Sequence, residues 1–239
     1  MLILAFESSA KAASVALTED DVLLGESFLN NGKTHSTTLM PMAQRLLQDC
    51  GVAPSELSCV AVAMGPGSFT GVRIGVAAAK GLAWAAEKPC CGVSTLEAMA
   101  YQMRQQCGIL CPVMDARRQQ VYHALFASDG INLTRMTPDR AISLEELQKE
   151  LENAEKPIFL VGDGSKLCYN TLKQTVPGLV YPPAHLEFQR AGGVAAAAYP
   201  LVLEGKTVSP EVLTPNYLRL SQAERERLEK QSLKLKGDS

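Results

Sequence analysis

Histidine is scarce in this chain. His35, His123 and His185 are the only three, they lie far apart, and no H-E-x-x-H or H-x-x-x-H pair is present to seat a zinc or iron ion. That argues against a hydrolase built on such a metal. His35 precedes a helical pattern and His123 alternates within a strand pattern, so both are expected to be structural or interface residues, while His185 sits in a proline-bracketed loop. Long apolar runs are missing as well. The apolar start Leu2–Phe6 is shorter than a signal-peptide core, and the other runs stop well before the roughly 18 residues that a membrane helix needs. A cytoplasmic protein with no membrane partner is the expectation.

The seven cysteines, Cys50, Cys59, Cys90, Cys91, Cys107, Cys111 and Cys168, form no C-x-x-C pair and are odd in number. They are expected to stay reduced and to act as small hydrophobes. No serine sits in a G-x-S-x-G elbow, and Cys90-Cys91 has no histidine beside it in sequence, so nucleophilic catalysis has no visible apparatus. Charge of one sign is also lacking: 23 basic against 25 acidic side chains leave a net charge of -2 and a pI near 6.0. A stand-alone nucleic-acid binder needs a basic face that this composition does not advertise, so any RNA is expected to be held by a partner.

What is present is an ordinary globular composition: 239 residues, 46% hydrophobic and 20% charged, enough for one large domain or two small ones. Leu2–Phe6, Ala13–Leu17 and a run from Val22 read as an antiparallel strand meander. From Thr34 the apolar spacing becomes helical, with Leu39, Met42, Ala43, Leu46, Leu47 and Cys50 on one stripe; Pro41 must lie in the first turns or kink the helix. Leu57–Met64 reads as a buried strand, followed by Gly65-Pro66-Gly67-Ser68-Phe69-Thr70-Gly71 and an alanine-rich helix to about Glu87.

The second half repeats this plan without repeating its residues. Ile109–Met114 is a strand ending at Asp115 as the first ended at Glu7, and the chain returns as one strand, Val121–Ala127, turns at Ser128-Asp129-Gly130 and goes out again from Ile131. Ser143, with Glu146 three residues on, is a capping box opening a helix Leu144–Leu151. A strand Ile158–Val161 then ends in Gly162-Asp163-Gly164. The charges after Tyr217 read as a solvated tail. Two lobes of α/β class follow, residues 1–106 and 107–220, with a charged tail over 221–239.

The glycine loop is the strongest local signal, because such a turn opening a helix lets a phosphate or another backbone approach closely. Its G-x-G-x-x-x-G spacing is neither a dinucleotide fingerprint nor a Walker loop. Ser8, Ser9, Gly65 and Gly67 are the candidate nucleotide or phosphate contacts. Past the loop, Gly71, Gly75, Ala78, Ala79 and Leu82 lie along one side of a helix, shallow enough for a second helix or for the protein's own sheet. Glu7 and Asp115 could flank a cleft between the lobes and hold a cation, or simply cap turns.

The blocks Ile3-Leu4-Ala5-Phe6-Glu7-Ser8-Ser9, Met64 to Gly75, Pro112-Val113-Met114-Asp115-Ala116-Arg117-Arg118 and Pro215-Asn216-Tyr217-Leu218-Arg219, in this order, resemble the TsaB family over nearly the whole chain. The resemblance implies the actin-like (ASKHA) fold of two ribonuclease-H-like lobes. It further implies a non-catalytic dimerisation subunit that pairs with a TsaD-type transferase and, assisted by a TsaE-type ATPase, supports threonylcarbamoyl transfer to the adenosine next to the anticodon of tRNA. The transferase relatives carry a metal-binding H-x-x-x-H pair just after the segment matching Gly92-Val93-Ser94. Thr95 and Met99 occupy those places here, and a hydroxyl and a thioether cannot stand in for two imidazoles.

On the same footing, the partner interface is expected at Met42, Leu46, Gly71, Gly75, Ala78 and Leu82, with that surface forming a homodimer when the chain is alone. No catalytic or metal residue is expected and no cofactor held tightly by the single chain; ATP within the complex and contact with tRNA through the complex stay open. The rivals are a glycoprotease-like metallopeptidase, which would need convergent metal ligands, and an actin-fold small-molecule kinase. The kinase would need a second complete phosphate loop, for which Gly162-Asp163-Gly164 is the only candidate.

Overall fold

Strands β1 (Leu2–Glu7), β2 (Ala13–Glu19) and β3 (Val22–Leu29) form the expected antiparallel meander, and β4 (Cys59–Ala63) and β5 (Cys90–Val93) extend it in parallel, in the order β3-β2-β1-β4-β5. The computed structural model describes residues 1–155 and 157–219; the charged tail read over 221–239 lies outside them. Helix α1 (His35–Cys50) crosses from β3 to β4, α2 (Phe69–Ala85) from β4 to β5, and α3 (Thr95–Gln102) leads out of β5. Parallel neighbours need such crossovers.

This sheet is covered on both faces, which explains why its strands read as continuous apolar runs rather than alternating ones. Leu4 and Phe6 of β1 point into a cluster with Leu39, Met42, Leu46 and Leu47 of α1 and Val72, Val76 and Ala79 of α2. Ile3 and Ala5 point the other way, into a layer of small side chains with Ala16, Ala61 and Ala63. Pro41 lies inside α1, which continues through it. Gly51 ends that helix in the left-handed conformation, φ 66°, its N–H reaching back to the Gln48 carbonyl, an arrangement that glycine adopts without steric penalty.

The second sheet repeats the order as β10 (Arg140–Ser143), β7 (Gln120–His123), β6 (Gly108–Asp115), β11 (Ile158–Val161) and β12 (Leu179–Val180), with the same change from antiparallel to parallel pairing at its middle strand. Helices α4 (Leu144–Glu152) and α5 (Ser165–Leu172) cover it. The Ser143–Glu146 capping box is formed: the Ser143 hydroxyl accepts from Glu146 N at 3.1 Å and Ser143 N donates to Glu146 Oε2 at 2.8 Å.

The returning strand expected over Val121–Ala127 is two strands. β7 pairs with the end of β6 at Val113–Asp115, and β8 (Phe126–Ser128), itself paired with β9 (Leu133–Arg135), takes the beginning of β6 at Gly108–Leu110. The gap falls at Cys111-Pro112. Proline has no N–H for the ladder, and Leu125 instead donates to Thr137 Oγ1 at 2.8 Å and accepts from Met136 N.

The division at residue 106 separates the two sheets, but the chain from Ala191 onward leaves the second one. Helix α6 (Ala191–Leu203) packs on the first sheet and α3: Ala191, Val194, Ala195, Ala197 and Ala198 fill the small-residue layer. The assignment of 107–220 to the second lobe is thus corrected for its last stretch. A helix apolar all round must be buried on most sides, and the alanines of β1, β2 and β4 leave the shallow surface that admits it. Gly193 makes the approach possible, since a Cβ there would run into the Ala98 carbonyl oxygen. The chain then straps the first lobe, with Val208 bridged to Cys90, Lys80 Nζ donating to Leu213 O at 2.9 Å, and Leu213 in the core. No helix among the described residues is long and apolar enough to cross a membrane.

Candidate functional site: the glycine loop, the lobe junction and the outer helices

The turn from β1 to β2 and the loop from β4 to α2 are built against each other. Ser8 Oγ donates to Gly71 O at 2.9 Å and Ser68 N donates to Ser9 O at 2.6 Å. A Cβ on Gly71 would meet the Ser8 carbonyl, one on Gly75 the Ser8 hydroxyl, and one on Gly67 the Ser9 carbonyl. Gly65, at φ 116°, is closed over by the Asn216 backbone, while Thr95 N donates to Gly65 O at 2.9 Å and Asn216 N to Met64 O at 2.7 Å. The close backbone approach that these glycines permit is therefore made by the protein's own chain. Of the four candidate phosphate contacts, Ser8, Ser9 and Gly65 are buried and Gly67 is half-buried. Asn216, quoted in a family block but given no role, closes this loop, a contact across some 150 residues that no local signal announces.

At the lobe junction Glu7 is 1% exposed. Its Oε1 accepts from Ser9 N at 2.6 Å, while Oε2 has no partner. Burial pushes its carboxyl up to about 7, against the opposing pull of Ser9 and with a further push from Asp163. Asp163, in the loop after β11, is raised chiefly by burial, offset by the amide of Gln189, whose Nε2 donates at 2.9 Å. Asp163 is also raised by the charge of Asp115. Asp115, the residue expected opposite Glu7, is exposed at the end of β6 and accepts from Arg117 N at 2.7 Å, the turn-capping role. Among the described residues no three of histidine, cysteine, aspartate and glutamate converge where a metal ion could be held.

Four of the six residues expected to meet a partner are turned away from the surface of α1 and α2. Met42 and Leu46 are buried in the first core, and Gly71 and Gly75 are pressed against Ser8. A glycine or methionine in a close-packed interior has no surface left to offer, so these four are corrected to core positions. Ala78 and Leu82 are half-exposed. The outward side of the pair carries Met40 and Pro41 of α1 and Gly81 and Trp84 of α2, with Trp84 63% exposed. Between α1 and the connection over residues 51–56 runs a groove of about 720 Å³ lined by Met40, Pro41, Gln44, Gln48 and Val52, among others, with Leu82 its one lining residue from α2.

The histidines and cysteines singled out in the sequence are placed as follows. His35 Nε2 lies 2.7 Å from the Ala10 carbonyl. His123 is fully buried, 3.0 Å from an Arg140 nitrogen, and burial first and Arg140 second lower its imidazole to about 4. Cys59, Cys90, Cys91, Cys111 and Cys168 are buried free thiols pushed up by desolvation, hence poor nucleophiles. Thr95 and Met99 are inside the protein at the start of α3, at 0% and 1% exposure.

The profile of the family described as TsaD, tRNA N6-adenosine threonylcarbamoyltransferase, matches residues 26–227. The tRNA threonylcarbamoyladenosine biosynthesis protein TsaB of Bacillus subtilis is 35% identical, covering 97% of this chain and all of that one. The solved structure of YeaZ from Pseudomonas aeruginosa superposes with a TM-score of 0.74 at 27% identity, over 91% of this chain and 99% of its own. The activator of a 2-hydroxyisocaproyl-CoA dehydratase from Clostridium difficile, 11% identical, shares the fold alone, with a TM-score of 0.51 over 90% of this chain and all of that one. The architecture is the actin-like one of two ribonuclease-H-like lobes, and the chain belongs to the TsaB family of tRNA threonylcarbamoyladenosine biosynthesis proteins.

Proposed function

We propose that this chain is a non-catalytic subunit of the assembly that makes threonylcarbamoyladenosine in tRNA, pairing with a TsaD-type transferase while a TsaE-type ATPase assists the transfer to the adenosine beside the anticodon. The observation that carries the non-catalytic part is the placement of Thr95 and Met99. Where the transferases hold two metal-binding histidines, this chain has a hydroxyl and a thioether turned into its own core. Refitting a hard metal there would require ligands of another kind and a cavity in place of packed atoms. The pairing surface is the outward side of α1 and α2, where Met40, Pro41, Leu82 and Trp84 present apolar area beside an open groove; apolar area of this kind rimmed by polar side chains favours protein contact. The same surface closes a homodimer when the transferase is absent.

The chain works in the cytoplasm and holds no cofactor tightly by itself. The contacts of Ser8, Ser9 and Gly65 with the protein's own backbone support the reading that the single chain holds no nucleotide tightly, and leave any ATP to the assembled complex. The deciding experiment is a reconstituted reaction of transferase, ATPase, intermediate-forming enzyme, threonine, bicarbonate, ATP and tRNA, with and without this chain, read by mass spectrometry of the tRNA nucleosides. Modified adenosine only in the presence of the chain supports the subunit reading; equal yield without it sinks that reading.

A further inference from the structure

The described arginines fall into two groups. Arg45, Arg104, Arg135, Arg140 and Arg190 each hold a carboxylate at 3.0 Å or less. Among the described residues Arg73, Arg117, Arg118 and Arg219 hold none, and these four are linked in space. The Arg73 guanidinium lies 5.1 Å from the Phe69 ring centre, and Phe69 stacks on Tyr217 with centroids 4.6 Å apart and planes 24° from parallel. Two residues on, Arg219 donates to the Ala116 carbonyl at 3.0 Å, and Ala116 opens the turn that carries Arg117 and Arg118. A strip of guanidinium groups with two stacked rings in it thus runs from α2 of the first lobe, over the C-terminal segment, to the β6–β7 turn of the second.

The turn has an unusual backbone. Arg117, Arg118 and Gln119 are all left-handed, at φ 63°, 55° and 58°, and all exposed. Glycine or asparagine would take these dihedral angles more easily than arginine or glutamine. The turn is held by Asp115, which accepts from Arg117 N at 2.7 Å, and by Ala116 N donating to Gln120 O at 3.0 Å. Two exposed arginines are thus held in a conformation that disfavours them, with no carboxylate partner among the described residues. Asp115 and Asp163 bring negative charge near the turn, but among the described residues neither forms an ion pair with these arginines: Asp115 accepts from the Arg117 backbone and Asp163 from Gln189.

We propose that this strip is a direct contact for the RNA substrate, with phosphates bound by Arg117, Arg118 and Arg219 and an unstacked base laid against the Tyr217 ring, which is 42% exposed. Guanidinium forks match phosphate oxygens, and aromatic rings set among cations are the means by which proteins hold single-stranded loops. The inference rests on the chain working in the tRNA-modifying assembly proposed above, and it replaces the expectation that a partner alone holds the RNA. A net charge of -2 makes the strip a local contribution that acts with the partner's surface.

The test uses the full-length chain assembled with its transferase partner, unmodified tRNA and filter binding from about 50 to 300 mM salt. The double variant Arg117→Asn, Arg118→Asn removes two cations while asparagine keeps the left-handed turn. Affinity is expected to fall about ten-fold or more, and the slope of log affinity against log salt to decrease by about two, with co-elution of the subunits and the melting temperature unchanged. Arg117→Lys, Arg118→Lys should keep the slope, and Tyr217→Ala should weaken binding without changing it. Unchanged affinity and slope in the asparagine variant overturn the proposal, as does loss of co-elution by a folded variant, which would make the strip a protein-docking surface. Failure of the pairing reading would show separately, as wild-type subunits eluting apart; the strip would then be read by low-salt tRNA binding of the chain alone, where no difference between wild type and the asparagine variant overturns it.

Discussion

Ser8 and Gly71 lock the glycine loop to the first strand of the sheet: the serine hydroxyl donates to the glycine carbonyl at 2.9 Å, and the serine carbonyl occupies the space a Cβ on Gly71 would need. The glycines of the loop are therefore explained by internal packing.

Gly71→Ala should destabilise the free chain by about 1–3 kcal/mol, the usual penalty for forcing a methyl group into packed atoms. Gly81, ten residues on in the same helix, has nothing within 4 Å of the place its Cβ would take. Gly81→Ala should stabilise by about 0.5–1 kcal/mol, since alanine loses less backbone entropy than glycine in a helix. Urea denaturation of both variants checks the contrast; equal effects would contradict the packing account.

Glu7 sets a pH dependence. Its ordinary value of 4.5 rises to about 7 in the fold, so between those values the folded state keeps a proton that the unfolded chain releases. The resulting stabilisation is complete below pH 4.5 and decays as pH climbs through 7. Glu7→Gln holds the neutral form at every pH. It should match wild type near pH 4.5 and exceed it by on the order of 2 kcal/mol at pH 8.5; a constant difference between the two melting curves across this range would refute the assignment.

His123 has the opposite sign. Its imidazole is lowered from 6.5 to about 4, so the unfolded state takes up a proton that the buried ring refuses, and stability is lost as pH falls from 6.5 toward 4. His123→Gln, which retains an acceptor for Arg140, should flatten this part of the acid-denaturation profile. An unaltered acid limb in thermal melts would show that another group dominates.

Leu82→Arg and Met42→Ala separate surface from core. Leu82 is half-buried against the first core and lines the groove beside α1, so arginine should cost the free chain about 1–2 kcal/mol while abolishing pairing in gel filtration. Met42 is 7% exposed, and its truncation should cost about 2–3 kcal/mol yet leave pairing intact below the melting temperature. Intact pairing in Leu82→Arg would move the interface elsewhere.

Much of the fold was legible because strand and helix periods are local properties. The meander, the buried run before the glycine loop and the Ser143–Glu146 cap each follow from residues within a dozen positions of one another. Where reading failed, the cause was a neighbour distant in sequence. Val121–Ala127 looks like one strand until Pro112 of β6 interrupts the ladder opposite it. Ala191–Leu203 looks like part of the second lobe until the alanines of β1, β2 and β4 receive it.

The sequence by itself determined the two-lobed α/β plan, the scarcity of histidine and of metal- or nucleophile-type motifs, and, by resemblance of its ordered blocks, the family. Only the tertiary structure decided which side of each outer helix is exposed, that Ser8, Ser9 and Asn216 fill the space around the loop glycines, that Glu7 is buried, and that Arg73, Arg117, Arg118 and Arg219 gather along one strip. The reason is physical: a helical stripe shows that one face is apolar, but whether it meets the chain's own sheet or another molecule depends on packing between segments far apart in sequence.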